Sequence, residues 1–169
     1  MQQRKHFERE RGVPLRNRMR DGGVFAVLWL SGGFFYCLVE LLFRGYTHVS
    51  MFVLGGICFL AIGIIRRGLR GVHSVWKMLL SGVAITFFEF LCGIVVNCGL
   101  GLRVWDYSSV PMNLMGQVCL PYTLIWCVLS LPAMALDVVY WRYAFGNTED
   151  TFVPVGIHRQ GTEAIPEKA

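Results

Sequence analysis

The chain has 169 residues, of which 54% are apolar and only 16% are charged. Ordinary soluble domains are about 45–50% apolar and about 25% charged, so this composition excludes a disordered chain and argues against a soluble globular domain. The formal net charge is +5, and the positions of the charged residues decide whether this excess indicates a nucleic-acid-binding protein.

Four apolar segments follow a basic N-terminal tail at residues 1–22. A bilayer core of about 30 Å requires about 17–25 helical residues, and each segment meets that length with at most one acidic residue. The expected helices are 24–43, 49–65, 78–102 and 114–141. They predict an all-α polytopic membrane domain at 23–143, with four transmembrane helices arranged as two similar helical hairpins. A flexible C-terminal tail is expected at 144–169.

Basic residues are distributed unequally between the two sides of these helices. The N-terminal tail has seven, the 66–77 loop four and the C-terminal end from Arg142 onward three, whereas the opposite side has only Arg44 and Arg103. Because basic loops remain in the cytoplasm, both termini are predicted to be cytoplasmic, in a bacterial inner (plasma) membrane. The positive charge is therefore interpreted as an orientation signal, and no nucleic-acid partner is expected.

Residues 46–58 and 107–119 match each other without a gap. They share Tyr, Val, Met, Gly and Cys at the same offsets, and each follows a segment that carries a glutamate, Glu40 or Glu89. We interpret the match as an internal repeat of two parallel hairpins. In transporters, repeats of this kind form binding sites at their interface.

Glu89 is the deepest acidic residue of the predicted membrane domain. It lies about 18 Å along its helix from Lys77 at 1.5 Å per residue, and no cation is near it in sequence. Charged groups inside a bilayer are costly and are functional candidates by default. We expect Glu89 to face the bundle, and either to be protonated or to meet a polar group such as Asn97 or Tyr36.

The other two acidic residues of the membrane segments have simpler explanations. Glu40 precedes Arg44 by four residues, an order that favours a local salt bridge on a helix. Asp137 lies near the end of the fourth helix, where it is expected to pair with Arg142 or to reach water. For Glu40 a structural role and a functional role both remain open, whereas a structural role is expected for Asp137.

The two loops on the outer side are dense in polar and aromatic residues. Asp106 or Ser108 could cap the next helix, which Pro111 and Asn113 are then expected to open. The alternative is a small outer pocket that leads to Glu89, with titratable, anion-pairing and aromatic groups around it. The candidate residues for a substrate or ion site are Glu40, Arg44, Tyr46, His48, Glu89, Asn97, Arg103, Trp105, Asp106, Tyr107, Ser108 and Asn113.

Motifs for other kinds of chemistry are missing from the sequence. The six cysteines have no metal-binding spacing, no phosphate-binding glycine loop is present, and no catalytic residue, metal or cofactor is predicted. The cysteines are expected to act as small apolar side chains. If any disulfide forms, Cys98 and Cys119 are the expected pair.

Two groups of residues also resemble a known family. The first is Glu40, Arg44-Gly45-Tyr46-Thr47-His48, Met51 and Gly55-Gly56; the second is Glu89, Gly93, Asn97, Trp105-Asp106-Tyr107-Ser108, Pro111, Asn113, Gly116-Gln117, Cys119-Leu120 and Trp126. Over about residues 24–130 the chain resembles the CmpB-like family of ABC-transporter type IV membrane proteins. The resemblance implies a small multi-pass permease.

The chain departs from the family's usual residues at Pro121-Tyr122. We expect Pro121 to kink the fourth helix.

Three functions remain open on the sequence. The first is a small permease or permease subunit whose outer polar site leads to Glu89. The second is a membrane-embedded enzyme with an outward-facing site at His48 and Asp106, and the third is a non-catalytic accessory membrane protein. Four helices are few for a solute path, so a homodimer or a partner membrane subunit is expected in the lipid bilayer.

Overall fold

The computed structural model describes the chain from residue 15 to residue 144. The remaining parts of the two predicted tails, 1–14 and 145–169, lie outside the described residues. The helices are α1 (Leu15–Arg44), α2 (Val49–Gly68), α3 (Ser74–Gly93) and α4 (Leu120–Val139). A π-helical turn follows α3 at Ile94–Gly99 and another follows α4 at Tyr140–Ala144. Two short strands, β1 (Asn113–Leu114) and β2 (Val118–Cys119), pair antiparallel.

All four helices contain a segment long and apolar enough to cross a membrane, which confirms the predicted all-α membrane class. The four segments are Gly22–Arg44, Val49–Gly68, Ser74–Gly99 and Leu120–Tyr143. Residues 45–48 and 100–117 lie together at one end of the bundle, which we call the loop end. The opposite end, with the 69–73 turn and the 140–144 turn, is called the terminal end.

The most extensive packing joins α1 to α2 and α3 to α4. This pairing agrees with the two predicted hairpins. Helix α2 also packs against α3 and α4. Aromatic and hydroxyl contacts join α1 to α4: the rings of Tyr36 and Trp126 stack with centroids 5.1 Å apart, and Ser31 Oγ lies 2.7 Å from the Tyr140 hydroxyl.

Helix α4 begins six residues later than the sequence predicted. Residues 113–119 are apolar enough for a helix, but Met115 (φ 54°) and Gly116 (φ 67°) adopt left-handed conformations, and the chain forms the β1–β2 ribbon. Asn113 belongs to this ribbon, so the prediction that it opens the helix is wrong.

Pro121 lies in the first turn of α4, where a missing N–H breaks no helical hydrogen bond. The prediction that Pro121 kinks the helix is therefore wrong as well.

The internal repeat is not confirmed. Gly55 lies within α2, whereas its counterpart Gly116 lies in the left-handed turn of the ribbon. Cys58 is likewise inside a helix, whereas Cys119 directly precedes one. The two matched stretches therefore have different conformations, although each connects the helices of one hairpin.

All six cysteines are free thiols, so Cys98 and Cys119 do not pair.

Two glycines allow α1 and α2 to approach closely. A Cβ atom at Gly32 would lie 2.8 Å from the Gly55 carbonyl oxygen, and one at Gly55 would lie 2.8 Å from the Gly32 carbonyl oxygen. These contacts are with backbone atoms, which cannot move without moving a helix. Small residues at such a crossing are a common device of membrane helix packing.

We therefore predict that Gly32→Ala and Gly55→Ala each destabilise the α1–α2 hairpin. The extra methyl group should cost about 1–3 kcal/mol of the free energy of unfolding, the usual range for overpacking. Denaturation of the purified protein in mixed detergent micelles measures this change. Gly68→Ala is the matched control, since a Cβ atom there has no neighbour within 4 Å; a loss of stability in Gly68→Ala equal to that in Gly55→Ala would contradict the crossing argument.

Candidate functional site

Glu89 lies inside the bundle with only 2% of its surface exposed. The Tyr107 hydroxyl donates to Glu89 Oε1 at 3.2 Å, and the Trp126 indole N–H donates to Oε2 at 3.0 Å. The partners suggested by the sequence, Asn97 and Tyr36, do not bond to it. Both donors are uncharged, and Glu89 forms no salt bridge with any residue whose side chain the structure describes, 22–143.

A cavity of about 80 Å³ lies beside Glu89, between α1 and α4. The two residues that donate to Glu89, Tyr107 and Trp126, are part of its lining. The others are Tyr36, Val39, Glu40, Phe43, Arg44, Tyr122, Ile125 and Leu129. One water molecule needs about 10–15 Å³ of such volume, so the cavity has room for several waters or a small solute.

Glu40 and Arg44 are the two charged residues of the cavity lining. Arg44 Nη1 lies 2.7 Å from Glu40 Oε1, which confirms the predicted local salt bridge. The Thr47 hydroxyl donates to Glu40 Oε2 at 2.6 Å, and Arg44 Nη2 donates to the Val104 carbonyl oxygen at 2.6 Å. Arg44 therefore connects the end of α1 to the loop between α3 and α4, and this loop supplies Tyr107 to the cavity.

Asn97 organises the same loop from a different position. Its amide Nδ2 donates to the Trp105 carbonyl oxygen at 3.0 Å and to Gln117 Oε1 at 2.8 Å. Its Oδ1 accepts the Val104 N–H at 2.7 Å. The Trp105 indole N–H donates to the Gln117 carbonyl oxygen at 2.8 Å. Asn97 lies in the π-helical turn after α3, a kind of irregularity that often occurs at functional sites.

The remaining candidates have local structural roles at the exposed loop end. His48 Nδ1 accepts the Ser50 N–H and caps α2. Asp106 Oδ1 accepts both the N–H and the hydroxyl of Ser108, at 2.8 and 2.6 Å, so it closes a turn and caps no helix. Asn113 Nδ2 bonds to loop carbonyl groups. No hydrogen bond or ion pair joins His48 to Asp106 in the described chain.

Two further candidates contribute little to the cavity. Tyr46 is 57% exposed, and the Arg44 guanidinium lies 4.6 Å from its ring centroid. Arg103 is exposed and has a positive φ of 48°. The structure thus brings Glu40, Arg44 and Tyr107 together in the lining of one cavity. Glu89 does not line it but bonds to Tyr107 and Trp126, which do. Asn97 and Trp105 hold the loop that supplies Tyr107.

Asp106 and Tyr107, neighbours in the 100–117 loop, lie in opposite environments. Hydrogen bonds from the Ser108 hydroxyl and N–H lower the pKa of Asp106, and the nearby charge of Arg103 contributes in the same direction. Burial raises the pKa of Tyr107 well above its usual value, and the Glu89 carboxyl group adds to this rise. Asp106 is therefore a stable carboxylate on the surface, and Tyr107 is a neutral phenol that donates a proton to its hydrogen bond.

Asp137 lies at the terminal end and is 1% exposed. It bonds to Arg66 Nε at 2.7 Å and to Arg67 Nη1 at 2.9 Å. The prediction that it pairs with Arg142 or reaches water is wrong, because the last turn of α2 brings two guanidinium groups to it. The Arg142 guanidinium lies over the Tyr143 ring instead, 5.7 Å from its centroid.

Sequence reasoning left four contributors out of the site: Thr47, Gln117, Tyr122 and Trp126. Gln117 and Trp126 belong to the family-like motif, so that motif was the available signal. A buried tryptophan also needs an acceptor for its N–H, which could have pointed from Trp126 to Glu89. No group of three or more His, Cys, Asp or Glu side chains arranged to hold a metal occurs within the described part of the chain.

Residues 25–156 match the family described as "Putative ABC-transporter type IV". The chain belongs to this family. The match extends beyond the 24–130 range on which the resemblance was recognised, and it includes all of α4. No solved structure matches the chain. The protein is thus a multi-pass membrane protein of a transporter-type family.

We predict that Asn97→Ala loosens the 100–117 loop. The substitution leaves the buried Val104 N–H and the Gln117 Oε1 without the partners that Asn97 provides, at a cost of about 1–3 kcal/mol per unsatisfied group. Hydrogen exchange followed by mass spectrometry should show faster exchange in residues 100–117. Asn113→Ala is the control, because Asn113 bonds to the same loop from an exposed position; equal acceleration in both variants would contradict a special role for the buried amide.

Proposed function

We propose that this protein is a small permease or permease subunit of a bacterial plasma membrane, with its solute site in the cavity between α1 and α4. The observation that carries the proposal is the pairing of that cavity with Glu89. A buried carboxyl group with no ionic partner in the described chain is costly in a membrane, and its two hydrogen-bond donors line a space large enough for a solute.

The two ends of the bundle differ in a way that suits alternating access. The cavity lies toward the loop end, where the lining includes Arg44 at the end of α1, Tyr107 of the 100–117 loop and Tyr122 in the first turn of α4. At the terminal end, the Asp137 ion pairs and the Ser31–Tyr140 hydrogen bond hold α4 against α2 and α1. We take the loop end as the outer side, so we propose that this cavity is the outer part of the pathway and that the contacts at the terminal end close its inner part.

A smaller cavity of about 30 Å³ continues the path toward the terminal end. It shares Tyr36, Trp126 and Leu129 with the outer cavity, and its remaining lining is largely apolar. Movement of α4 against α1 would join the two spaces and open them inward. Since a bundle of four helices offers little room for a complete pathway, we propose that a second copy or a partner membrane subunit completes it.

The enzyme alternative has no specific support in the geometry. His48 and Asp106 each bond to a serine two residues away, and the exposed loop end holds them apart from Glu89. The accessory alternative accounts for those local bonds and for the Glu40–Arg44 salt bridge. It leaves the buried Glu89 and its adjacent cavity without a role, which is why we favour a permease.

Access to Leu129 from the two sides of the membrane tests the permease proposal without knowledge of the substrate. In a variant with all six cysteines replaced, we predict that Leu129→Cys reacts with a membrane-impermeant methanethiosulfonate added from either side. Leu129 lines both cavities, so an alternating pathway must expose it outward and inward in turn. Labelling in right-side-out and inside-out vesicles measures this access.

Two control positions make the labelling interpretable. Val128→Cys, on the adjacent and exposed face of α4, should remain unlabelled in lipid, where its thiol does not ionise. Met112→Cys, in the exposed loop, should react from the loop side alone. If Leu129→Cys reacts from only one side, or from neither, the permease proposal fails and the accessory function takes its place.

A further inference from the structure

The lining of the outer cavity combines aromatic rings with one carboxyl group, that of Glu40. Five of its ten residues are aromatic: Tyr36, Phe43, Tyr107, Tyr122 and Trp126. Tyr107 and Tyr122 stack with ring centroids 4.7 Å apart and an interplanar angle of 21°, and Tyr36 and Trp126 stack at 5.1 Å and 23°. Two stacked aromatic pairs therefore contribute to one small space.

The charges around this space favour a positive ligand. Glu40 lines the cavity and Glu89 lies directly behind Tyr107 and Trp126, whereas Arg44 is the one basic residue in the lining. The donors of Arg44 are directed at Glu40 and at the Val104 carbonyl oxygen. An anion would therefore have to displace these bonds. A cation would instead provide a positively charged partner for Glu89, whose two hydrogen-bond donors are uncharged.

The lining also distinguishes between kinds of cation. Hard metal ions take six or more oxygen ligands, but both oxygens of Glu40 are already bonded and Val39, Ile125 and Leu129 are aliphatic. Aromatic faces attract ammonium groups and form the usual cage for quaternary ammonium ligands. Apolar side chains complement the methyl groups of such a ligand.

We infer that the cavity between α1 and α4 binds a small organic ammonium ion, held by the aromatic rings and by the charge of Glu89. This inference rests on the proposed permease function and names the substrate class of the same site. The ammonium group would lie between the aromatic pairs. Its alkyl groups would contact the aliphatic residues of α4.

Equilibrium binding of radiolabelled tetramethylammonium to the full-length protein in nanodiscs of uncharged lipid tests the inference. We expect saturable binding that excess unlabelled tetramethylammonium displaces, but that equal concentrations of sodium chloride or of the neutral isostere tert-butanol do not. Binding that tert-butanol displaces equally well would overturn the role of charge. An absence of saturable binding to the parent protein would overturn the inference as a whole.

Variants of Tyr122 and Glu89 separate the two kinds of attraction. Tyr122→Leu should weaken binding about tenfold because it removes one ring, whereas Tyr122→Phe should retain it. Glu89→Gln, which keeps the size of the side chain, should weaken binding at least as much. Thr123→Val, which removes a hydrogen bond to Thr86 outside the cavity, should bind normally; equal affinity in all four variants would overturn the assignment.

The Tyr122→Leu and Tyr122→Phe variants keep the test valid even if Glu89→Gln fails to fold, since Tyr122 forms no hydrogen bond with Glu89.

The result of the binding experiment is also separable from the result of the Leu129 labelling experiment. Tetramethylammonium binding with one-sided access to Leu129 would keep the ammonium site and remove the permease function. Two-sided access without binding would keep the permease function and remove the ammonium assignment.

Discussion

The hydrogen bonds to Glu89 are the contacts on which the loop end of this bundle depends. A carboxyl group buried in a membrane must find partners within the protein, and those of Glu89 come from two separate elements. Tyr107 belongs to the loop after α3, and Trp126 belongs to α4. The two hydrogen bonds to Glu89 on α3 therefore fix the positions of the loop and of α4 relative to α3. They also orient the rings of Tyr107 and Trp126, which line the adjacent cavity.

The loop that supplies Tyr107 is itself held by buried polar groups. Asn97 binds the loop at Val104, Trp105 and Gln117, while Arg44 reaches across from α1 to the Val104 carbonyl oxygen. Irregular backbone is tolerated at membrane depth only where protein or water satisfies it, and these side chains provide those bonds. The loop is thus an ordered wall of the cavity, and it is coupled to three of the four helices.

Local patterns in the sequence predicted much of this arrangement. Four spans followed from apolar composition, and the Glu40–Arg44 salt bridge followed from a spacing of four residues on a helix. The partners of Glu89 are 18 and 37 residues away, and those of Asp137 are 70 and 71 residues away; no helical spacing encodes such pairs. The start of α4 was misjudged because apolar content does not distinguish a helix from a two-stranded ribbon with left-handed residues in its turn.

The contrast between the two deeply buried acidic residues indicates where a solute would act. Asp137 has two guanidinium partners, so its charge is already compensated and its bonds can serve to close the terminal end. Glu89 has only neutral donors, which stabilise a carboxylate without cancelling its charge. The uncompensated group is the one beside the cavity and its aromatic walls. A positive ligand at that position would supply the ionic partner that Glu89 lacks among the residues whose side chains the structure describes.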